Sequence, residues 1–144
     1  MTIQQAIDAA RVLRDTEIKD ELMAAWLSSL DDTLWYRVLR NYGFDRPEAL
    51  PYYTEAAEND EQDWRGIELM LTERYALNMY PLWLVMQIDL HQGDYERYNN
   101  DAVLYNAEET EFKKDVSRNH QWRPPKPDGW PDVMPWDGNI NIKF

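Results

Sequence analysis

The segment from Gly93 to Asn100 constrains the fold more than any other part of the sequence. Before it, residues 80–88 form an apolar run in which Gln87 is the only strongly polar member. After it, apolar residues recur at steps of three and four, or their sum, which is the signature of an amphipathic helix. Glu109 interrupts that stripe, whose members are Tyr98, Ala102, Tyr105, Phe112 and Val116. Gly93 is an expected helix stop because glycine adopts a left-handed backbone without steric penalty. The segment therefore predicts a helical hairpin.

Local signals predict two further helices ahead of this hairpin. Thr2 and Gln5 have the spacing of a capping box, in which each side chain satisfies a free backbone amide of the first turn. Apolar residues then mark one face of a short helix, namely Ile3, Ile7, Ala10 and Leu13. Asp15 and Thr16 give a second start signal, and a long helix is expected over residues 17–40. At the helical rise it would form a rod of roughly 36 Å.

The hairpin itself predicts a third helix over residues 77–92 and a fourth over residues 94–120. Pro81 lies early in the third helix. Because proline is tolerated in a first turn and otherwise kinks a helix, the regular part is expected to begin near Pro81. Apolar residues occur on every side of this third helix, which is typical of the most buried, central element.

Residues 44–65 differ in kind from the helical segments. They include Pro47 and Pro51, and seven acidic residues stand against Arg46 and Arg65; the acids are Asp45, Glu48, Glu55, Glu58, Asp60, Glu61 and Asp63. This pattern predicts a long exposed loop, with one short helical turn around Glu55, and loops of this length are usually functional or partly disordered. The following residues, 67–71, are consistent with either a short strand or the lead-in to the next helix.

The last 24 residues, 121–144, predict an extended arm. Helix is excluded there by Pro124, Pro125, Pro127, Pro131 and Pro135. Residues 140–144 alternate with a period of two, as a strand does, and a lone strand must pair, either with residues 67–71 of its own chain or with a neighbour. The arm is predicted to lie across another subunit, with disorder as the alternative. Its candidate contact residues are Trp122, Trp130, Trp136, Ile140, Ile142 and Phe144.

Together these signals predict an all-α fold. We expect a small helical bundle over residues 1–120, built around the central helical hairpin and carrying the exposed acidic loop. Residues 121–144 would be a separate Pro/Trp-rich arm whose β-strand pairs either within its own chain or with a neighbour.

The charge balance restricts the class of partner. The chain has 27 acidic and 15 basic residues, a net charge of −12. This argues against binding a phosphate backbone, because that affinity comes from Lys and Arg displacing counterions. The charge is explained either by solubility, or by a surface that lies near nucleic acid without sticking to it or that imitates it. No membrane span and no secretion signal are expected, and the absence of cysteine excludes disulfides and thiolate metal sites.

The sequence offers little for catalysis. The two histidines, His91 and His120, each fall near a predicted helix end, where interaction with the carbonyl groups explains them more simply than a metal or base role. A di-iron site needs Glu-x-x-His on two helices, but Ile88 and Ser117 stand at the required positions. Phosphate-binding loops and nucleophile elbows are also absent. We therefore expect no enzyme, no metal and no cofactor.

Several motifs, taken in order, resemble the head–tail adaptors of tailed bacteriophages, also called connector or head-completion proteins. They are Trp26–Asp31, Gln87–Leu90 and Gly93–Asn100, followed by Tyr105–Ala107, Phe112 and Arg118–His120. The resemblance extends from the N-terminus to about His120, with the acidic loop poorly matched. The Pro/Trp-rich arm departs from the short endings of the family.

The resemblance implies a small all-α virion protein that is made in the host cytoplasm and located at the head–tail interface. Copies of such proteins, typically twelve, assemble into a ring beneath the portal. The ring extends the DNA channel and docks the next protein on the tail side, a stopper or tail protein. Its proximity to genomic DNA would be non-specific, and the acidic loop is one candidate for the channel wall. The competing hypothesis is an acidic binding module, a DNA mimic that inhibits a nucleic-acid-binding partner.

Overall fold

The structure is a computed structural model that describes residues 1–48, 50, 52 and 64–123. These residues form four α-helices and two short 3-10 helices. The α-helices are α1 (Ile3–Leu13), α2 (Asp20–Arg37), α3 (Glu73–His91) and α4 (Tyr95–Asn119), and the 3-10 helices are Leu39–Asn41 and Trp64–Gly66. Pairing of β type is limited, within these residues, to two isolated bridges. The all-α prediction is confirmed.

The capping box predicted for α1 is present. Thr2 Oγ1 accepts a hydrogen bond from the Gln5 amide at 3.2 Å, and Gln5 Oε1 accepts one from the Thr2 amide at 2.9 Å. Three of the four residues of the predicted apolar face are fully buried, Ile3, Ile7 and Ala10. The fourth, Leu13, is 54% exposed because it is the last residue of the helix.

Helix α2 is shorter than expected, running from Asp20 to Arg37 rather than over residues 17–40. The Arg11 guanidinium donates to the carbonyl oxygens of Thr16 (2.8 Å) and Ile18 (2.7 Å). The Thr16 hydroxyl accepts from the Ile18 amide at 3.2 Å instead of capping a helix. These bonds hold residues 16–18 extended, so the rod is about 27 Å long.

The central position of the third helix is confirmed, but its start was placed too late. Helix α3 begins at Glu73 and packs against α1, α2 and α4. Pro81 lies inside the helix, where it cannot donate to the carbonyl of Leu77. Packing offsets this lost hydrogen bond, because nine of the 19 residues of the helix are buried and Met79, Tyr80 and Leu84 are completely enclosed.

The predicted hairpin joins α3 to α4. Gly93 has a φ of 77°, and the Asp94 carboxylate caps α4 by accepting from the Arg97 amide at 3.2 Å. The predicted stripe faces the core: three members are buried (Tyr105, Phe112 and Val116) and two half-buried (Tyr98 and Ala102). Tyr105 packs on Trp83, and Phe112 packs on Tyr75, with ring centroids 5.2 and 5.3 Å apart.

The predicted acidic loop, residues 44–65 and called the acidic segment from here on, is not simply exposed. Its described residues include three buried side chains, Leu50, Tyr52 and Trp64. Arg46 bonds to the Asp32 carboxylate on α2 at 3.1 Å, so the start of the segment is also attached. The helical turn predicted around Glu55 lies outside the described residues.

Residues 67–71 form neither a strand of a sheet nor part of a helix. They pair instead with the N-terminal residues: the Ile3 amide donates to the Ile67 carbonyl at 3.1 Å, and the Leu69 amide donates to the Met1 carbonyl at 2.9 Å. The first turn of α1 thus gains a backbone partner. The predicted strand at 140–144, and its pairing, lie outside the described residues.

Candidate functional sites

The bundle has two distinct ends. Helix α4 contains 25 residues and is therefore about 37 Å long. The Gly93 turn lies at its beginning, and we call this the turn end. At its other end His120 packs edge-on against Phe44, with ring centroids 4.6 Å apart, and Arg123 pairs with Tyr42 in a parallel bridge. Residues 42–44 and 120–123 therefore lie side by side, at what we call the loop end.

Of the predicted contact residues, the structure describes only Trp122. Its side chain is 64% exposed and lines a surface pocket of about 310 Å³ together with Tyr42 and Lys113. Such exposure leaves a large apolar surface available to another molecule. The remaining candidates, Trp130, Trp136, Ile140, Ile142 and Phe144, lie outside the described residues.

Two of the seven predicted acids are described. Asp45 and Glu48 are both exposed, and both lie on the part of the segment that begins at the loop end. Glu55, Glu58, Asp60, Glu61 and Asp63 lie outside the described residues. That these acids line a channel stays a prediction.

A buried carboxylate holds the acidic segment to the bundle. Asp31 of α2 is fully enclosed and accepts hydrogen bonds from the Tyr52 hydroxyl (2.6 Å), the Tyr80 hydroxyl (2.6 Å) and the Met70 amide (3.0 Å). The Ser28 hydroxyl oxygen accepts from the Tyr52 amide at 2.9 Å. We call these five residues the loop anchor. Sequence reasoning missed it, although Asp31 stands within the apolar stripe of α2, four residues after Leu27 and three before Leu34.

The electrostatics of the loop anchor follow from its burial. Burial raises the pKa of Asp31, and the three hydrogen bonds to its carboxylate oppose that shift. Burial and the neighbouring Asp31 charge raise the pKa of Tyr52 and of Tyr80, so both phenols keep their protons and remain donors. Tyr80 also accepts from the Leu71 amide at 2.9 Å. The network thus joins α2, α3, Tyr52 of the acidic segment and residues 70–71 beyond it.

A second buried charge cluster fastens the hairpin to α1. Arg14 donates through Nε to Asp89 at 3.1 Å, and its Nη2 lies 3.7 Å from Asp101. Asp89 is on α3 and Asp101 on α4, and both are buried. Burial and the adjacent Asp89 raise the pKa of Asp101 to about 6, while the charge of Arg14 opposes the rise. We call these three residues the hairpin lock. Nothing local in the sequence pairs Arg14 with residues 75 or more positions away.

A cleft of about 370 Å³ opens at the loop end between α3, α4 and residues 39–45. Aromatic rings line much of it: Phe44, Tyr75, Phe112 and His120. Arg74 and Asp115 form an ion pair on its wall at 3.2 Å. The Tyr75 hydroxyl is buried and has no hydrogen-bond partner within the described part of the chain. We call this the aromatic cleft.

The two histidines lie where the sequence places them, at helix ends. His91 is the last residue of α3 and its ring is 6.1 Å from that of Trp26, whereas His120 follows α4. Among residues 1–48, 50, 52 and 64–123, no group of three or more His, Asp and Glu side chains is arranged to hold a metal ion. Within the same residues, none of the helices has the length and apolar character needed to cross a membrane.

Comparison with protein-family models, with curated proteins and with solved structures found no match for this chain.

Proposed function

We propose that this protein is a head–tail adaptor of a tailed bacteriophage, a structural virion protein whose copies, twelve by analogy with the family it resembles, form a ring beneath the portal. The observation that carries the proposal is the two-ended bundle. An adaptor must contact different proteins above and below. Here the Gly93 turn and the paired residues Tyr42 and Arg123 lie at opposite ends of one helix about 37 Å long.

Both ends carry exposed apolar side chains that such contacts require. At the turn end they are Val12, Leu13, Leu22, Leu90 and Tyr95, and at the loop end they include Phe44 and Trp122. Scattered exposed apolar residues are ordinary, but aromatic side chains among them are the residues that most often anchor interfaces. We assign the portal and the tail-side protein to these two ends.

The acidic segment supports a role beside DNA. The loop anchor holds its residue Tyr52 to the bundle, and the two described acids, Asp45 and Glu48, are exposed at its start. Like charge removes the attraction by which proteins adhere to the phosphate backbone. A ring of such segments lets DNA pass without binding it.

The motifs that carry the resemblance coincide with the buried charge clusters. Trp26–Asp31 contains the carboxylate of the loop anchor, and Gln87–Leu90 contains Asp89 of the hairpin lock. Gly93–Asn100 includes the hairpin turn and the cap of α4. These motifs therefore hold the loop and the hairpin in place, which a ring subunit needs if every copy is to present the same surface.

The proposal is tested by mixing the full-length protein with the portal protein of the same phage at micromolar concentration. We expect co-migration in size-exclusion chromatography and a ring on the portal by electron microscopy. An unrelated acidic protein of matched net charge controls for non-specific association. If the two proteins never co-migrate and no ring is seen, the adaptor function is wrong.

The acidic character favours one alternative, a DNA mimic that blocks a basic cleft. Replacing Asp45 and Glu48 together by Asn and Gln separates the two functions. A mimic would lose capture of its nuclease or DNA-binding partner, since the charge is what the partner recognises. An adaptor would still form its ring, because its subunit contacts would be made elsewhere.

A further inference from the structure

The aromatic cleft is a built recognition surface without an assigned occupant. Its floor combines two edge-to-face aromatic pairs, Phe44 with His120 and Tyr75 with Phe112, whose ring planes are each 67° apart. Aromatic-lined grooves are the surfaces that bind proline-rich peptides. The buried Tyr75 hydroxyl lacks a partner among the described residues, and a buried donor of this kind needs an acceptor from somewhere.

The path of the chain points toward this cleft. Residues 121–123 run parallel to residues 41–43, with the Arg123 amide donating to the Asn41 carbonyl. The Arg123 side chain approaches to 3.7 Å from where a Cβ on Gly43 would be. The next residues beside this path are Phe44 and Asp45, which line the cleft. Arg123, the last described residue, therefore lies at the rim of the cleft.

The chemistry of the segment matches the cleft. Residues 124–144 contain five prolines and two tryptophans, and proline-rich chains leave their carbonyl groups free to accept hydrogen bonds. The exposed carboxylate of Asp45 has no ion-pair partner within the described residues. Lys126, three positions beyond Arg123, supplies a charge of the opposite sign in the segment. Trp130 is seven residues beyond Arg123, a span of at most about 25 Å, which is ample to reach into the cleft.

We propose that in the free protomer the aromatic cleft binds the Pro/Trp-rich segment 124–144 of its own chain. The Tyr75 hydroxyl donates to a backbone carbonyl of the segment, and an indole packs among Phe44, Phe112 and His120. The role that we give this contact rests on the proposed function. The segment binds its own bundle in the free protomer and becomes available to a neighbouring subunit when the ring assembles.

The absence of cysteine from the chain makes a direct test possible. Asn119 lines the cleft and is exposed, and Asp128 is two residues before Trp130. The double variant Asn119→Cys/Asp128→Cys is oxidised mildly at submicromolar concentration, and the products are identified by non-reducing electrophoresis and peptide mass spectrometry. We expect an intrachain disulfide. The matched control is Ser117→Cys/Asp128→Cys, whose first cysteine is exposed on the same helix, two residues from the cleft position and outside the cleft lining, so that both variants close loops of nearly equal length.

The cleft variant should form its intrachain disulfide at least tenfold faster than the control. Equal rates, or a disulfide that forms only between chains, would overturn the proposal. Adding Tyr75→Phe to the cleft variant keeps the ring and removes the hydroxyl. It should slow the reaction about fivefold, the equivalent of one hydrogen bond, and an unchanged rate would refute the assigned role of that hydroxyl.

This test is independent of the adaptor function, because no portal protein is present. A fast intrachain disulfide in a protein that never forms rings would support binding of the segment in the cleft and refute the proposed function. Ring formation by a protein in which the intrachain disulfide does not form would support the proposed function and refute binding in the cleft.

Discussion

At the scale of single residues, the buried carboxylates define this molecule. Asp31, Asp89 and Asp101 lie inside a small bundle, where an unpaired charge would cost several kcal/mol. Each is compensated differently: Asp31 by two phenols and an amide, and the pair Asp89 and Asp101 by one guanidinium. Such groups specify which segments meet, because wrong pairings would leave them unsatisfied.

The first prediction concerns the loop anchor. Tyr80→Phe removes a donor to the Asp31 carboxylate and the acceptor of the Leu71 amide. We expect the free energy of unfolding to fall by about 1–3 kcal/mol, since a buried charged group and an amide each lose a partner. Urea denaturation measures the change. Tyr95→Phe, at an exposed position, is the control and should stay within about 0.5 kcal/mol of the parent; an equal loss in both variants would contradict the anchor's role.

The second prediction concerns the pH dependence that Asp101 confers. Its pKa in the folded protein is about 6, above the value of about 3.9 for an unfolded aspartate. The folded state therefore binds the proton more tightly, and this contribution to stability is complete below pH 4 and is lost as the pH rises through 6. The loss should amount to roughly 1–3 kcal/mol.

Asp101→Asn isolates this contribution, because the amide does not titrate. Between pH 4 and pH 6.5 the parent should lose stability relative to Asp101→Asn, as measured by urea denaturation at each pH. The difference between the two proteins cancels the titration of groups that do not interact with Asp101, such as Asp31. Parallel stability curves across this range would mean that Asp101 titrates normally in the folded protein.

At the scale of elements, the sequence correctly predicted those features of the helices that depend on residues close together in the chain. The capping box of α1, the Gly93 stop, the Asp94 start and the stripe of α4 are all set by residues within a few positions of one another. The loop anchor joins residues 21 and 49 positions apart, and periodicity carries no information about such distances. The predicted extent of α2 was wrong for a related reason: Arg11, on another helix, donates hydrogen bonds to the carbonyl groups of Thr16 and Ile18.

The third prediction tests the central position of α3. Leu84 is fully buried, whereas Leu77, on the same helix, is 60% exposed. Leu84→Ala should cost about 2–5 kcal/mol of unfolding free energy, since it removes buried methyl groups and leaves a cavity. Leu77→Ala is matched in chemistry and should cost less than about 1 kcal/mol. Thermal and urea denaturation of both variants would compare them, and similar costs would place α3 at the surface.

At the scale of the whole molecule, the net charge and the two ends act together. A chain with a net charge of −12 repels its own copies, so association requires specific contacts strong enough to overcome that repulsion. Screening by salt weakens the repulsion more than it weakens apolar contacts. Added salt should therefore strengthen ring formation. It would weaken the binding of a DNA mimic to a basic partner.

The last prediction assigns the arm to assembly rather than to the fold. Deleting residues 130–144 should leave the helical circular dichroism spectrum close to that of the parent and lower the urea midpoint only by the small amount that the cleft contact contributes, because the buried core of the described residues is formed by the bundle and by parts of the acidic segment. The same deletion should weaken ring formation with the portal at least tenfold, since the tryptophan anchors are lost. Deletion of residues 2–13, which removes the fully buried Ile3 and Ile7, is the contrasting control and should unfold the bundle. If removing the arm unfolds the protein as removing α1 does, the segment belongs to the core, and neither storage in the cleft nor exchange between subunits can be its role.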